Sequence, residues 1–161
     1  MKVGILTTDG GPHPADKWAE QTAAQISDII HVEPNSLAFE ELTKQKNDFE
    51  KTITSVLTSH HSIVQLHEKS ALAEHGTARL NHPLVPEKQH VDDAANSVLA
   101  IAKTKIFGSH FSKPEVVSFV KDTIGSHFAT SQQIERSWHA DNNADTPEAQ
   151  AFKAKYHPGN E

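Results

Sequence analysis

The sequence predicts a mainly α protein: a helical bundle built around one long heptad-patterned helix, with a minor β element at the N-terminus. Three observations carry this reading. Phe39, Leu42, Lys46, Phe49, Ile53, Val56, His60, Ile63 and His67 follow one another at alternating steps of three and four, the spacing of a helix–helix seam. No Gly or Pro interrupts the chain from residue 35 to residue 75. The opening "KVGIL" followed by Asp9-Gly10-Gly11 reads as a strand closed by a turn.

Taken in order, residues 2–6 form the strand, with Thr7 and Thr8 extending it. Pro14 suits a first helical position and Asp16 the first turn, where a carboxylate meets the positive helix end. Trp18, Thr22, Ala23, Ile26 and Ile30 recur at helical spacing, so residues 15–29 are expected to be a helix. A second short strand over 29–32, parallel to the first, is the alternative for the end of that segment. Asn35 or Ser36 is placed to cap the long helix, expected over 36–72.

At 1.5 Å per residue that helix would run roughly 55 Å, against a diameter of about 40 Å for a compact domain of this size. It must break, bend or protrude, and a protruding apolar ridge needs cover from a neighbouring chain. Residues 76–86 read as a loop. A second helix is expected over 91–107, opened by Asp92 and Asp93 and stopped by Gly108. Ser112 and Glu115 have capping-box spacing for a third helix ending near Phe128. Residues 131–140 look like a further helix carrying Trp138, and Pro147 opens a last one to Tyr156. The whole, 1–161, reads as one domain: strand, turn and helix over 1–34, the long helix over 35–75, and C-terminal helices over 88–156. "GSHF" occurs at 108–111 and again at 125–128, too close together for a solenoid unit.

Composition narrows the function classes. Apolar residues make up 36% and mean hydropathy is −0.54, which leaves a modest core. There is no Cys, so disulfides, thiolate metal sites and cysteine nucleophiles are excluded. No apolar run reaches the ~18–20 residues of a membrane span, and the N-terminus lacks the apolar core of a signal peptide. A cytoplasmic location is expected, with no membrane partner. The net charge is −6 and Lys and Arg are scattered, which disfavours a nucleic-acid duplex as partner. Twelve His outnumber the ten Phe, Trp and Tyr. Protonating all twelve moves the formal charge from −6 to +6.

Motifs for catalysis are sparse. The glycine turn lacks the GxxxxGK[ST] and GxGxxG patterns, and Pro12 and Pro14 remove two backbone donors that an anion would use. Asp9 at the strand end and His13 at the helix start, with His139 farther on, form a candidate acid/base set; a rigid connection is the other reading of the same letters. No two of His60, His61, His67 and His75 have the i, i+3 or i, i+4 spacing of ligands on one helix. His110, His127 and His139 could meet only from separate helices. Asp141, Asn143 and Asp145 match the first three ligand positions of a calcium loop, but Thr146 and Phe152 stand where Gly and Glu belong. A polar turn capping the next helix explains them equally. No G-x-S-x-G elbow occurs, and no cofactor is expected.

The heptad stripe is the most specific signal. Phe49, Ile53, Val56, His60 and Ile63 are its candidate interface residues, in a homo-oligomer or with a partner protein; packing within the chain is the alternative. An imidazolium buried in such a seam is disfavoured, so His60 and His67 are expected to resist protonation. Finally, the opening "KVGILTTDGGPHPADKWAEQTA" resembles small proteins of tailed bacteriophages over about the first 25 residues. The resemblance implies a virion component or host-takeover accessory, in host cytoplasm or virion, and brings no catalytic motif. The sequence thus predicts a non-enzymatic interaction or assembly subunit, with a small enzyme or ligand-binding protein using the N-terminal turn as the alternative.

Overall fold

A computed structural model describes residues 14–34 and 37–156. Five α-helices account for most of them: α1 (Pro14–Ser27), α2 (Phe39–His75), α3 (Lys88–Ala102), α4 (Pro114–Asn142) and α5 (Pro147–Tyr156), with 3-10 turns at Gly76–Asn81 and Gly108–Ser112. The expected strand over 2–6 and the glycine turn lie outside the described residues. The alternative strand over 29–32 is irregular chain, with Ile30 buried in the core. None of the described helices is long and apolar enough to cross a membrane.

The first four helices run alternately up and down. His61 meets Ser131 and Gln65 meets Glu135, both seventy residues apart, so α2 and α4 are parallel. Glu87, just ahead of α3, meets His67, while Asp93 faces His60; α3 therefore descends. Ser27 at the end of α1 bonds Glu50, while Thr22 and Trp18 reach back to His127, so α1 descends as well. It lies in the groove between α2 and α4, and α3 packs against the same pair. The arrangement is that of an up-down-up-down bundle, with α5 set on α4 and on the turn that follows α2.

The long helix neither breaks nor stops early. It runs 37 residues, about 55 Å, until Gly76 takes the left-handed conformation (φ 63°) and returns its N–H to the Leu72 carbonyl. From Phe49 to Leu72 it is covered by two cores in succession. Phe49, Ile53, Leu57 and Val64 lie in a larger core with Ala23 and Ile26 of α1, Val98 of α3, and Val120, Ile124 and Phe128 of α4. Leu72 lies in a smaller one with Leu80, Ala140, Ala149 and Phe152. Phe49 sits edge-on to Phe111, ring centroids 5.3 Å apart, where aromatic pairs attract beyond their buried area.

The buried positions of α2 are Phe49, Ile53, Leu57, His61, Val64, Glu68 and Leu72, steps of 4, 4, 4, 3, 4 and 4. The heptad expected from the sequence shares only the first two. Strict heptads stay on one face only if the helices supercoil, whereas a straight helix drifts about 20° per heptad. The burial instead follows an i+4 ridge, which winds around the helix because its step exceeds the 3.6 residues of one turn. Three further expectations change, the first being the helix expected over 91–107, which runs over Lys88–Ala102 and ends before Gly108 is reached. Residues 114–142 form one helix rather than two, because Gly125 is carried inside α4 by neighbours that face the core. No side chain caps that helix; Pro114 opens it.

The two interior glycines of the "GSHF" repeat separate on substitution. A Cβ on Gly108 would stand 2.8 Å from the Ala102 carbonyl oxygen and 2.9 Å from Lys103 Cα, so Gly108→Ala is expected to lose about 1–3 kcal/mol through overpacking. A Cβ on Gly125 meets nothing within 4 Å, so Gly125→Ala is expected to gain about 1 kcal/mol of helix propensity. Urea unfolding of the two variants measures both signs.

Candidate functional site

Between the two cores the α2–α4 seam turns polar. His61, Gln65 and Glu68 share one face of α2 at i, i+4 and i+7, and Ser131, Gln132, Glu135 and Arg136 oppose them from α4. The Glu68 carboxylate has no exposed surface. Its Oε1 accepts from Arg79 Nη2 at 2.8 Å, and its Oε2 accepts from Arg79 Nε at 2.9 Å and Arg136 Nε at 2.8 Å. Arg136, also buried, gives Nη1 to the His82 carbonyl at 2.6 Å and Nη2 to that of Pro83 at 3.4 Å. Buried ions persist only when paired and fully hydrogen-bonded, and this pair is. Burial alone would raise the Glu68 pKa; the two guanidinium groups outweigh it and hold the carboxyl below its ordinary range.

Two turns down α2, the His61 Nδ1 and Ser131 Oγ are 2.6 Å apart, and Ser131 Oγ donates to the His127 carbonyl at 3.2 Å. With the hydroxyl proton used there, His61 must donate from Nδ1. The pair has the spacing of a serine and its base, but the proton runs the wrong way and Ser131 is sealed from solvent. The His127 Nδ1 lies 3.0 Å from Thr22 Oγ1, and its buried Nε2 has no hydrogen-bond partner among the described residues. Burial first, then the nearby His61, pushes its pKa down to about 4. This layer holds the bundle together and is closed to substrates.

The accessible feature lies just beyond it. Past the start of α1, the α2–α4 groove continues as a depression of about 310 Å³ lined by Lys69, Leu72, Ala73, Glu135, Trp138, His139 and Asn142. On the far side of Trp138 a second depression is lined by Ile134, Ser137 and Asp141 among others. Trp138, 60% exposed, is the ridge between the two.

The residues singled out from the sequence fall in different places. Phe49 and Ile53 are fully buried in the chain's own core, so of the five seam residues they offer a partner nothing. Val56 packs partly on that core; His60 stacks on Phe128, centroids 6.5 Å apart; Ile63 is 48% exposed. Burial lowers the His60 pKa, as expected, against the pull of Asp93. His67, expected in the seam, is instead exposed beside Glu87. Asp9 and His13 lie outside the described residues. His139 sits on α4 with a buried Nε2 that has no partner among the described residues. His127 and His139 share α4, about 18 Å apart along it, so with His110 they cannot form one metal site. Asp141 pairs with Lys153 at 3.1 Å, and Asn143 donates from Nδ2 to the His139 carbonyl at 2.8 Å. Thr146 Oγ1 accepts from Ala149 N at 3.2 Å and so caps α5; the "DNNAD" stretch is a helix–turn–helix junction.

Sequence reasoning passed over Glu68, Arg79 and Arg136. A signal did exist: Glu68 lies four residues from both Val64 and Leu72, the place of a buried residue on an i+4 ridge. Comparison with protein-family models, curated proteins and solved structures returns no match to this chain.

Glu68→Gln leaves the buried Arg136 and the half-buried Arg79 guanidinium groups short of a counter-charge, and is expected to destabilise the fold by about 3–5 kcal/mol in urea unfolding. His127 sets a pH dependence. Its folded pKa lies below the ordinary 6.5, so unfolding takes up a proton in that window. The stability it supports is whole above pH 6.5 and falls by ~3 kcal/mol as pH drops toward 4. The same slope measured on His127→Gln is expected to be flatter.

Proposed function

We propose that this chain is a non-enzymatic helical subunit that works by protein–protein contact in the cytoplasm, with a second copy of itself as first partner. The observation that carries the reading is Trp138, exposed on a groove that α1 fills lower down and that no described residue fills above. A half-exposed Trp set between two hollows is the residue type and shape that dominate binding energy at interfaces. Leu66, 64% exposed, lies one turn before Lys69 on the adjoining part of α2 and adds apolar surface. A helix of a second chain laid end to end with α1 would meet the same two walls that α1 meets.

Val56, His60 and Ile63 are the part of the heptad stripe left for such contact. The resemblance of the N-terminal segment to small phage proteins supports a virion component or accessory as the setting. The alternative, a ligand or enzyme site at the N-terminal turn using Asp9, His13 and His139, is favoured by one observation, the Nε2 of His139 beside the groove, without a partner among the described residues.

Sedimentation equilibrium near neutral pH tests the self-association. Wild-type protein is expected at a multiple of 17.7 kDa, and Trp138→Ala is expected to weaken the association by about 30-fold, the effect of a ~2 kcal/mol hot spot, with an unchanged helical spectrum. A wild-type mass of one chain at every concentration, or an unaltered Trp138→Ala variant, overturns the reading.

A further inference from the structure

The shortest of the four bundle helices is α1, at 14 residues, and its hold on the others is light. Its side chains in the larger core are Ala19, Ala23 and Ile26, two of them small. Its polar ties are Ser27 Oγ to Glu50 Oε1 at 2.9 Å and Thr22 to His127, with an exposed Asp28–Lys46 pair just past its end. By contrast, α2 and α4 also share the smaller core and the buried Glu68–Arg136 pair.

His127 stands where α1, α2 and α4 meet, buried from solvent. From α1, Trp18 stacks on its ring with centroids 6.4 Å apart, and Thr22 Oγ1 lies 3.0 Å from its Nδ1. From α2 the His61 ring stands edge-on at 6.2 Å, and Phe128 of α4 itself lies at 5.7 Å. A neutral imidazole suits this setting, with one nitrogen bonded and the other against ring surface. An imidazolium has two N–H donors, and Nε2 finds no acceptor among the described residues. No described carboxylate offsets the charge either. The group that acts on it is His61, another base. On α2, Glu50 is taken by Ser27; on α4, Glu135 is taken by Gln65. On α3, His90 and Asp93 act on His60 instead, and α1 presents Trp18 and Thr22.

From this arrangement we infer that α1 is an acid-released strap: a proton on His127 undocks α1 from the α2–α4 groove while α2, α3, α4 and α5 stay assembled. In leaving, α1 takes Trp18 and Thr22 off the ring and lets water reach it, so the released state holds the proton with ordinary affinity. In the docked state burial, then His61, pushes the His127 pKa down from 6.5 to about 4. Release therefore takes up a proton between those values. The ratio of released to docked α1 rises about tenfold per pH unit below 6.5 and levels off near pH 4. The smallest cooperative unit opens first, because it gives up the fewest buried contacts. Release uncovers the α2–α4 wall up to the hollow at Trp138 and so lengthens the open groove. It holds whether or not a second copy occupies that groove.

Hydrogen exchange of the full chain, followed peptide by peptide and corrected for the intrinsic rate at each pH, is the test. Peptides within 17–27 are expected to be less protected than those of α2 and α4 at pH 6.5, and to lose protection about 100-fold by pH 4.5. Peptides around Leu72 and Ala140 are expected to stay protected at pH 4.5, with most of the helical spectrum retained. In His127→Gln, whose side chain takes no charge, α1 protection is expected not to vary with pH. His60→Gln, which removes another His of lowered pKa, is expected to keep the wild-type slope. In wild-type protein the His127 ring proton and the α1 amide signals are expected to titrate together by NMR, which decides the matter should His127→Gln not fold. The proposal is overturned by α1 protection that is flat in the wild type, that keeps its slope in His127→Gln, or that is lost only together with α2 and α4. Separate NMR midpoints, or a slope lost equally in His60→Gln, overturn it as well.

Discussion

Glu68 is the constraint on which the upper half of the molecule depends. A carboxylate with no exposed surface is tolerable only if cations and hydrogen bonds surround it. The two cations come from distant places: Arg79 from the turn after α2 and Arg136 from the second half of α4. Satisfying one charge thus fixes three pieces of chain. The turn must fold back along α2, α4 must extend past the main core, and the segment at 82–83 must present its carbonyls to Arg136. With that segment placed, α3 starts where it can descend against α2.

This polar layer also explains how a helix of such length survives in a chain with a modest apolar fraction. One continuous core along all of α2 would need more apolar side chains than the sequence has. Two cores are built instead, one of four helices and one of α2, α4, α5 and the turn. Hydrogen-bonded side chains fill the gap between them. The layer specifies alignment as well, because polar partners match in one register only. His61 with Ser131 and Gln65 with Glu135 lock the parallel pair against sliding by a turn, which an all-apolar seam would permit.

The chemistry that looks functional from its residue types is sealed, and the surfaces open to partners are plain. A Ser–His contact and a triad of ions lie inside the bundle. Outside are a groove that no described residue fills, with a tryptophan on its lip, and the exposed His67–Glu87 pair on the opposite side.

Much of the fold was legible in the residues. Helix existence and approximate limits followed from periodicity and from Pro14, Gly76 and Pro147, since these act locally on φ and on available backbone donors; for α4 the capping-box spacing of Ser112 and Glu115 pointed to the right place, but Pro114 and no side-chain cap opens it. Phe49 and Ile53 were expected at an interface, with packing inside the chain as the alternative reading, and Thr146 in a polar turn that caps the next helix. What the sequence could not decide was which face of α2 becomes core along its length. Residues on adjacent faces, Val56 or Leu57, His60 or His61, are near equals in a one-dimensional pattern. The choice falls to the neighbours: α1 and α3 cover one stretch and α5 with the turn covers the next, so burial winds along an i+4 ridge. For the same reason the partners of Glu68, and the meeting of His67 with Glu87, exist only once the bundle has closed. Local sequence sets the rods; contacts between residues far apart in the chain set their rotation.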